Sequence, residues 1–313
     1  MLAGYKEGLG DMKEAAFKQG MLVEHKKWGL GKIVFAGDKL HIFFKDLNGS
    51  YEDVTKPIAL SMSNQFLTVP TAQSHPELDN LPPFTRDGKL HVPSGLKVTH
   101  SQARDSFRRK YPGGFLDTKY LQDERDYKFE AHELFVSSLG NGHLEKLIES
   151  GNILEIVQRL QSVVSKVNLL SQFETMAIRD GFKQVAAAET FAKALSHFLH
   201  DAGSTGFDRL VEATDSLPAE KGKAPTLRWP VVTLLPFLAD PTRFMFLKPK
   251  VTQQAAQRLA FDLLYTPKPN WGTYSKLLEM SDLLMNDLRE FGARDYMDVQ
   301  SFIWVVGDKK YSL

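Results

Sequence analysis

Cysteine is absent from all 313 residues, which removes disulfides, thiolate zinc sites, iron–sulfur clusters and cysteine nucleophiles. Also missing is any uninterrupted apolar run of about 18 residues, the length a membrane helix needs. The opening MLAGYKEGLGDMKEAAFKQG carries charges where a secretory signal would be apolar. The expected location is therefore cytoplasmic, with no membrane partner. Neither sign of charge is in excess: the formal net charge is +1, so contact with a polyanion has to come from a local basic patch. The chain further lacks G-x-x-x-x-G-K-[ST], G-x-G-x-x-G after a strand, G-x-S-x-G and H-E-x-x-H. Nucleotide hydrolysis, dinucleotide chemistry and zinc proteolysis lose their usual signals, and neither cofactor nor metal is expected.

What is present is ample material for a packed core, with 42% hydrophobic residues. Residues 21–69 alternate β-rich runs with turn residues, the strand-like KIVFA and LHIFF meeting at Gly37-Asp38. Between 70 and 100, Pro70, Pro76, Pro82, Pro83 and Pro93 argue against any regular element. From 116 onward the apolar period is helical, over 117–139, 143–149, 152–182, 185–201, 229–239, 249–261, 271–291 and 296–306. The expectation is an α+β protein: an N-terminal arm and small SH3-like β-barrel (1–70), a proline-rich linker with a basic segment (71–115), and a mainly α-helical two-lobed domain (116–313, lobes 116–202 and 203–313).

The pattern His25-Lys26-Lys27-Trp28-Gly29-Leu30-Gly31-Lys32-Ile33, followed by Gly37-Asp38 and an apolar strand, resembles the tudor/SH3-like modules at the end of UvrD-type helicases and in CarD-type transcription factors. That resemblance implies a module that docks on RNA polymerase or lies near DNA. A small barrel that merely packs on the rest of the chain is the structural alternative. In SQARDSFRRKYPGG, Arg108 and Arg109 cluster with Arg104 and Lys110, and their guanidinium groups suit a phosphate backbone, as they also suit a solvated helix face.

Polar groups interrupt two apolar helix faces. On the helix from Leu121, the residues Glu124, Arg125, Lys128 and His132 fall inside the arc defined by Leu121, Phe129, Ala131, Phe135 and Val136. Burial of such groups costs several kcal/mol unless they are paired or face a wet cleft. Glu124 and Lys128 have the spacing of a pair. In SVVSKVNLLSQFETMAIRDGF, Glu174 points into the apolar stripe; it is either a structural partner of Arg125 or Lys128, or a cleft-facing general acid or base.

The stretch from Leu217-Pro218-Ala219, through the lysine-rich turn with Lys221 and Lys223, to a helix ending Arg258-Leu259 resembles the helix–hairpin–helix DNA glycosylases. The likeness covers about forty-five residues. In that family a hairpin holds a DNA phosphate through backbone N–H groups, and an aspartate opens a later helix. Here that position falls on or near Lys248. Pro249 suits the first helical position, leaving Lys248 at the cap, where the dipole disfavours an ammonium. Behind the apolar wall of Phe244, Phe246 and Leu247, such an amine is placed to attack a sugar C1′ and form a Schiff base, as bifunctional glycosylases do. Asp240 would stabilise an oxocarbenium-like sugar or position water, and Trp304 would stack on an extruded base.

The resemblance thus implies a DNA-binding enzyme excising a modified or abnormal base flipped into an interlobe cleft, with Lys248 and Asp240 as catalytic candidates. The buried-face acids Glu174 and Glu124 are added to these, and phage defence is a setting that extends from such an activity. Arg108, Arg109, Arg125, Lys128, His132, Lys221, Lys223 and Trp304 are the candidates for nucleic-acid contact. The rival, of another class, is a non-catalytic adaptor binding RNA polymerase or another protein through the barrel. The two part on one observation: the enzyme needs a concave pocket where the catalytic groups converge, the adaptor an exposed apolar patch near Trp28.

Overall fold

The computed structural model describes residues 17–82, 84–93, 96–219 and 225–308. The chain divides into two compact units, Met1–Lys97 and Val98–Leu313, and the fold is α+β, a curled antiparallel sheet followed by a helical region.

Among the described residues the first unit begins with the strands β1 (Leu22–His25), β2 (Gly29–Ala36), β3 (Lys39–Phe44), β4 (Gly49–Ser50), β5 (Thr55–Ala59) and β6 (Leu67–Thr68), with helical turns α1 (Tyr51–Val54) and α2 (Leu60–Phe66) between them. Five of these strands form one antiparallel sheet in the order β5-β3-β2-β1-β6. Alternation in β3 sends Leu40, Ile42 and Phe44 into a core shared with Val23, Ile33, Ile58 and Leu67. A register shift between Ile33 and Phe35 bends the sheet as bulges do, and it curls into a half-barrel. Gly31 is required: a Cβ there would stand 2.7 Å from the Phe43 carbonyl oxygen.

Residues 71–97, expected to be a linker free of regular structure, carry short elements: α3 (Pro76–Asp79), the hairpin of β7 (Thr85–Arg86) and β8 (Lys89–Leu90), and β9 (Leu96–Lys97), which pairs with β4. Leu78, Leu81 and Phe84 are buried, and the Phe84 ring meets Phe43 and Tyr51 at 5.8 and 5.9 Å. Proline stops long elements rather than short ones, and Pro76 in fact begins a helix at its first position.

The second unit is helical. Its elements are α4 (His100–Lys110), α5 (Thr118–Tyr120), α6 (Asp126–Ser138), α7 (His143–Glu149), α8 (Ile153–Ser165), α9 (Gln172–Gly181), α10 (Val185–His200), α11 (Ser204–Asp215), α12 (Trp229–Ala239), α13 (Pro249–Arg258), α14 (Trp271–Leu288) and α15 (Tyr296–Gly307). A π-helical turn, Leu121–Arg125, joins α5 to α6. The helix expected over 152–182 is two helices, because Ser171 and Glu174 form a reciprocal capping box that starts α9 afresh. Helix α12 is buried all round from Trp229 to Leu238, the mark of a helix at the centre of a core. Among the described residues no helix is long and apolar enough to cross a membrane.

Candidate functional site

The four catalytic candidates, Glu124, Glu174, Lys248 and Asp240, fall into three separate constellations. The first surrounds Asp298, whose carboxylate is fully buried. Its Oδ1 accepts from the Tyr120 hydroxyl at 2.6 Å and from Arg125 Nη1 at 2.8 Å, and its Oδ2 accepts from the Arg294 backbone N–H at 2.8 Å and Nε at 3.0 Å. Arg125 also donates to both oxygens of Asp295, at 2.8 and 2.6 Å. Burial opposes the guanidinium's charge, but the two aspartates hold its pKa above the ordinary value. One turn on, Lys128 is wholly buried and donates to Ser301 Oγ at 2.9 Å and to Glu124 at 3.3 Å. The expected Glu124–Lys128 pair is therefore present. Burial pushes the Lys128 ammonium below its usual pKa, and Glu124 offsets part of this. The π turn is what aims both Tyr120 and Arg125 at α15.

The second constellation answers why a cation stands at the start of α13. Lys248 is the N-cap residue and Pro249 follows it. Its ammonium donates to Glu174 Oε2 at 3.0 Å and to the Leu169 carbonyl at 3.1 Å. The partner of Glu174 is therefore Lys248, and neither Arg125 nor Lys128, whose charges are taken up around Asp298 and Glu124. Glu174 also accepts the Ser171 backbone N–H at 2.6 Å. Burial works against its ionisation, yet these hydrogen bonds and the Lys248 charge outweigh it, and the carboxyl lies below its ordinary pKa.

Asp240 belongs to the third. It lines a cleft of about 340 Å³ with Phe135, Gly140, Glu145, His200 and Arg243. Its Oδ1 accepts the Thr242 N–H and hydroxyl at 3.0 and 2.6 Å, and Arg243 lies 3.8 Å from Oδ2. Neither Lys248, Glu174 nor Glu124 lines this cleft. His132 Nδ1 donates to the Leu238 carbonyl, 2.8 Å away, and the residue borders an open depression of about 660 Å³ with Phe129 and Lys166. Trp304 is half-buried in α15, Arg108 and Arg109 are exposed on α4, and Lys221 and Lys223 lie outside the described residues. Among the described residues no His, Asp and Glu group is arranged to hold a metal ion.

In the first unit the indole of Trp28 stacks on His25, centroids 4.2 Å apart and planes 15° from parallel, and His25 in turn stacks on Phe66 at 5.8 Å. His25 Nδ1 accepts the backbone N–H groups of Lys27 and Trp28 at 3.1 and 3.3 Å, which leaves the proton on Nε2. Burial, then the Lys27 charge, keep its pKa below the ordinary value, so the ring is a neutral spacer between two apolar ones. On α2 and just beyond β6, Leu60, Met62, Phe66 and Val69 are 49, 44, 37 and 41% exposed.

No family model, curated protein or solved structure matches this chain. Function has to be read from the three constellations and the aromatic stack alone. His25 and Trp28 stand in the motif read from the sequence, whereas Phe66 does not, because no apolar period marks 60–69. Asp298 stands at the start of α15 like an ordinary first-turn acid, and nothing local reveals that Tyr120 and Arg125 need it.

Proposed function

We propose that the chain is a non-catalytic adaptor whose N-terminal module, an SH3-like barrel, docks on a protein through the apolar face around Phe66, with a two-lobed helical region as the scaffold it carries. The observation that carries this reading is the exposure of Leu60, Met62, Phe66 and Val69, of which Phe66 also closes the Trp28–His25–Phe66 stack. Met62 and Phe66 are four residues apart and so neighbours on α2. Apolar groups clustered in this way on a surface mark interaction sites, and aromatic anchors carry much of the energy at such interfaces. The charged residues of the helical region support the same reading, since those around Asp298 and Glu174 satisfy one another internally. RNA polymerase is the partner implied by the resemblance to UvrD-type and CarD-type modules.

A photo-crosslinking residue placed at Met62, compared with one at the exposed Leu154, tests this in cells. A discrete adduct from position 62 that disappears with Phe66→Asp supports docking, and its mass and peptides show whether a polymerase subunit is the partner. Adducts equal at both positions, or none at 62, overturn it.

A second reading, excision of a modified base from DNA, draws on the Asp240 cleft, whose volume is that of a small-ligand site. Incubation with unmodified and hypermodified phage DNAs in EDTA should then give alkali-labile sites that Asp240→Asn abolishes. Borohydride trapping of wild type against Lys248→Ala tests the amine separately, and absence of both signals removes this reading.

A further inference from the structure

The face of the second unit formed by α4 and the turn that follows α14 concentrates arginine in a chain of almost no net charge. Arg104 and Arg108, one helical turn apart, both lie over the Phe291 ring, their guanidinium carbons 5.5 and 4.5 Å from its centroid. Arg109 stands exposed beside them, and Arg289 is exposed two residues before Phe291. Of the acids near this face, Asp287 contacts the His100 ring, Glu290 lies 3.7 Å from Arg104, and Asp105 is exposed on α4 without an ion pair to Arg108 or Arg109. No described carboxylate pairs with Arg108, Arg109 or Arg289 among the ion pairs of this region. Arg108, Arg109 and Arg289 are thus left without a carboxylate at ion-pair distance among the described residues, and the Arg108 guanidinium carbon lies 4.5 Å from the Phe291 centroid, within cation–π range.

From this geometry we infer that the α4–Phe291 face binds single-stranded nucleic acid, the arginines taking successive phosphates and the stacked Arg108 plane offering its outer side to a base. A flat guanidinium fixed on an aromatic ring is pre-ordered for stacking and for bidentate phosphate contact, and loses little freedom on binding. The exposed Leu116, whose side chain packs beside Gly292 next to Phe291, gives the site an apolar edge of the kind an unstacked base covers. Together with the docking face of the first unit, this would let the chain join a protein to a strand, though the two inferences rest on separate residues and separate tests.

The test is fluorescence anisotropy of a labelled oligothymidylate of about 20 nucleotides with the full chain. Three phosphate contacts on a single strand predict that log K falls with log salt with a slope of about −2. Replacing both Arg109→Glu and Arg289→Glu, neither of which supports a packed side chain, should weaken binding at least about tenfold and flatten the slope to about −0.7, with the melting temperature unchanged. Arg108→Lys keeps the charge but loses the plane, and should weaken the single strand while leaving the salt slope unchanged. The inference is overturned by absence of binding at low salt, by affinity unaltered in the double reversal, by polyglutamate of equal charge competing as well as the oligonucleotide, or by a duplex that binds as tightly as the single strand.

Discussion

Removing Asp298 and removing Lys128 should have very unequal consequences although both are fully buried. Asp298 receives hydrogen bonds from Tyr120, Arg125 and Arg294. Asp298→Ala leaves a hydroxyl and part of two guanidinium groups without their acceptor in a site closed to water. Breaking a buried pair from one side costs about 3–5 kcal/mol, a large part of the roughly 5–15 kcal/mol that stabilises a domain, and should lower the melting temperature by about 6–20 °C. Lys128→Met, by contrast, removes an ammonium that burial already disfavours and keeps the side-chain length. It leaves behind Ser301, which still donates to the Met297 carbonyl, and Glu124, whose side chain is 14% exposed and can take up water. The expected change is within about 1 kcal/mol of wild type, in either direction. Urea denaturation of both variants, followed by circular dichroism, gives the two values side by side. A Lys128→Met variant as damaged as Asp298→Ala, or an Asp298→Ala variant that loses less than about 1 kcal/mol, would refute the claim that this network is structural.

Three further outcomes follow from geometry elsewhere. Lys97 donates to the Lys45 and Leu47 carbonyls under cover of the first unit, and burial lowers its pKa to about 8; the unfolded chain then binds more protons than the folded one between about pH 8 and 10.4, so stability rises with pH across that window, by at most about 3 kcal/mol. Urea midpoints read from fluorine-labelled Trp28 at pH 7.5 and 9.5 should show the rise in wild type and lose it in Lys97→Met. Glu174 has the opposite sign: its depressed pKa contributes stability above the unfolded value, lost as pH falls through the folded one. A double-mutant cycle of Glu174→Gln with Lys248→Met should return a coupling of about 1–3 kcal/mol at pH 7 that falls as acid protonates the carboxylate, while Ser171→Ala alone costs about 1 kcal/mol through the lost cap. Gly307→Ala would place a methyl 2.2 Å from the Val251 carbonyl oxygen and force α13 from α15, with a loss of at least about 2 kcal/mol visible in thermal melts.

How far the sequence could be read depended on whether the deciding interaction was local. Helices 143–149 and 229–239 begin and end where the apolar period and the flanking breakers place them. The break inside 152–182 was also written locally, since Ser171-Gln172-Phe173-Glu174 has the spacing of a capping box, yet the apolar period runs on through it and hides the new start. The same glutamate then looked like a lone acid in a buried stripe. Its partner Lys248 lies 74 residues away and Asp298 lies 173 residues from Arg125, and a single sequence holds no record of which distant groups meet. What the pattern did carry was the need for partners: Glu124, Arg125, Lys128 and Glu174 each stand on a largely buried face, and each has the counterpart that burial demands.

The π turn at Leu121–Arg125 amounts to one surplus residue in an otherwise continuous helix. Excising it would restore ordinary winding and swing everything on its N-terminal side by about 100° around the axis, carrying the Tyr120 hydroxyl off Asp298 while Lys128 stayed on Ser301. Two contacts from opposite sides of the surplus residue, made with amino acids three apart on α15, therefore hold the insertion in place: a deletion there is an error in phase, and compensating for it would take a matching shift along the whole of α15.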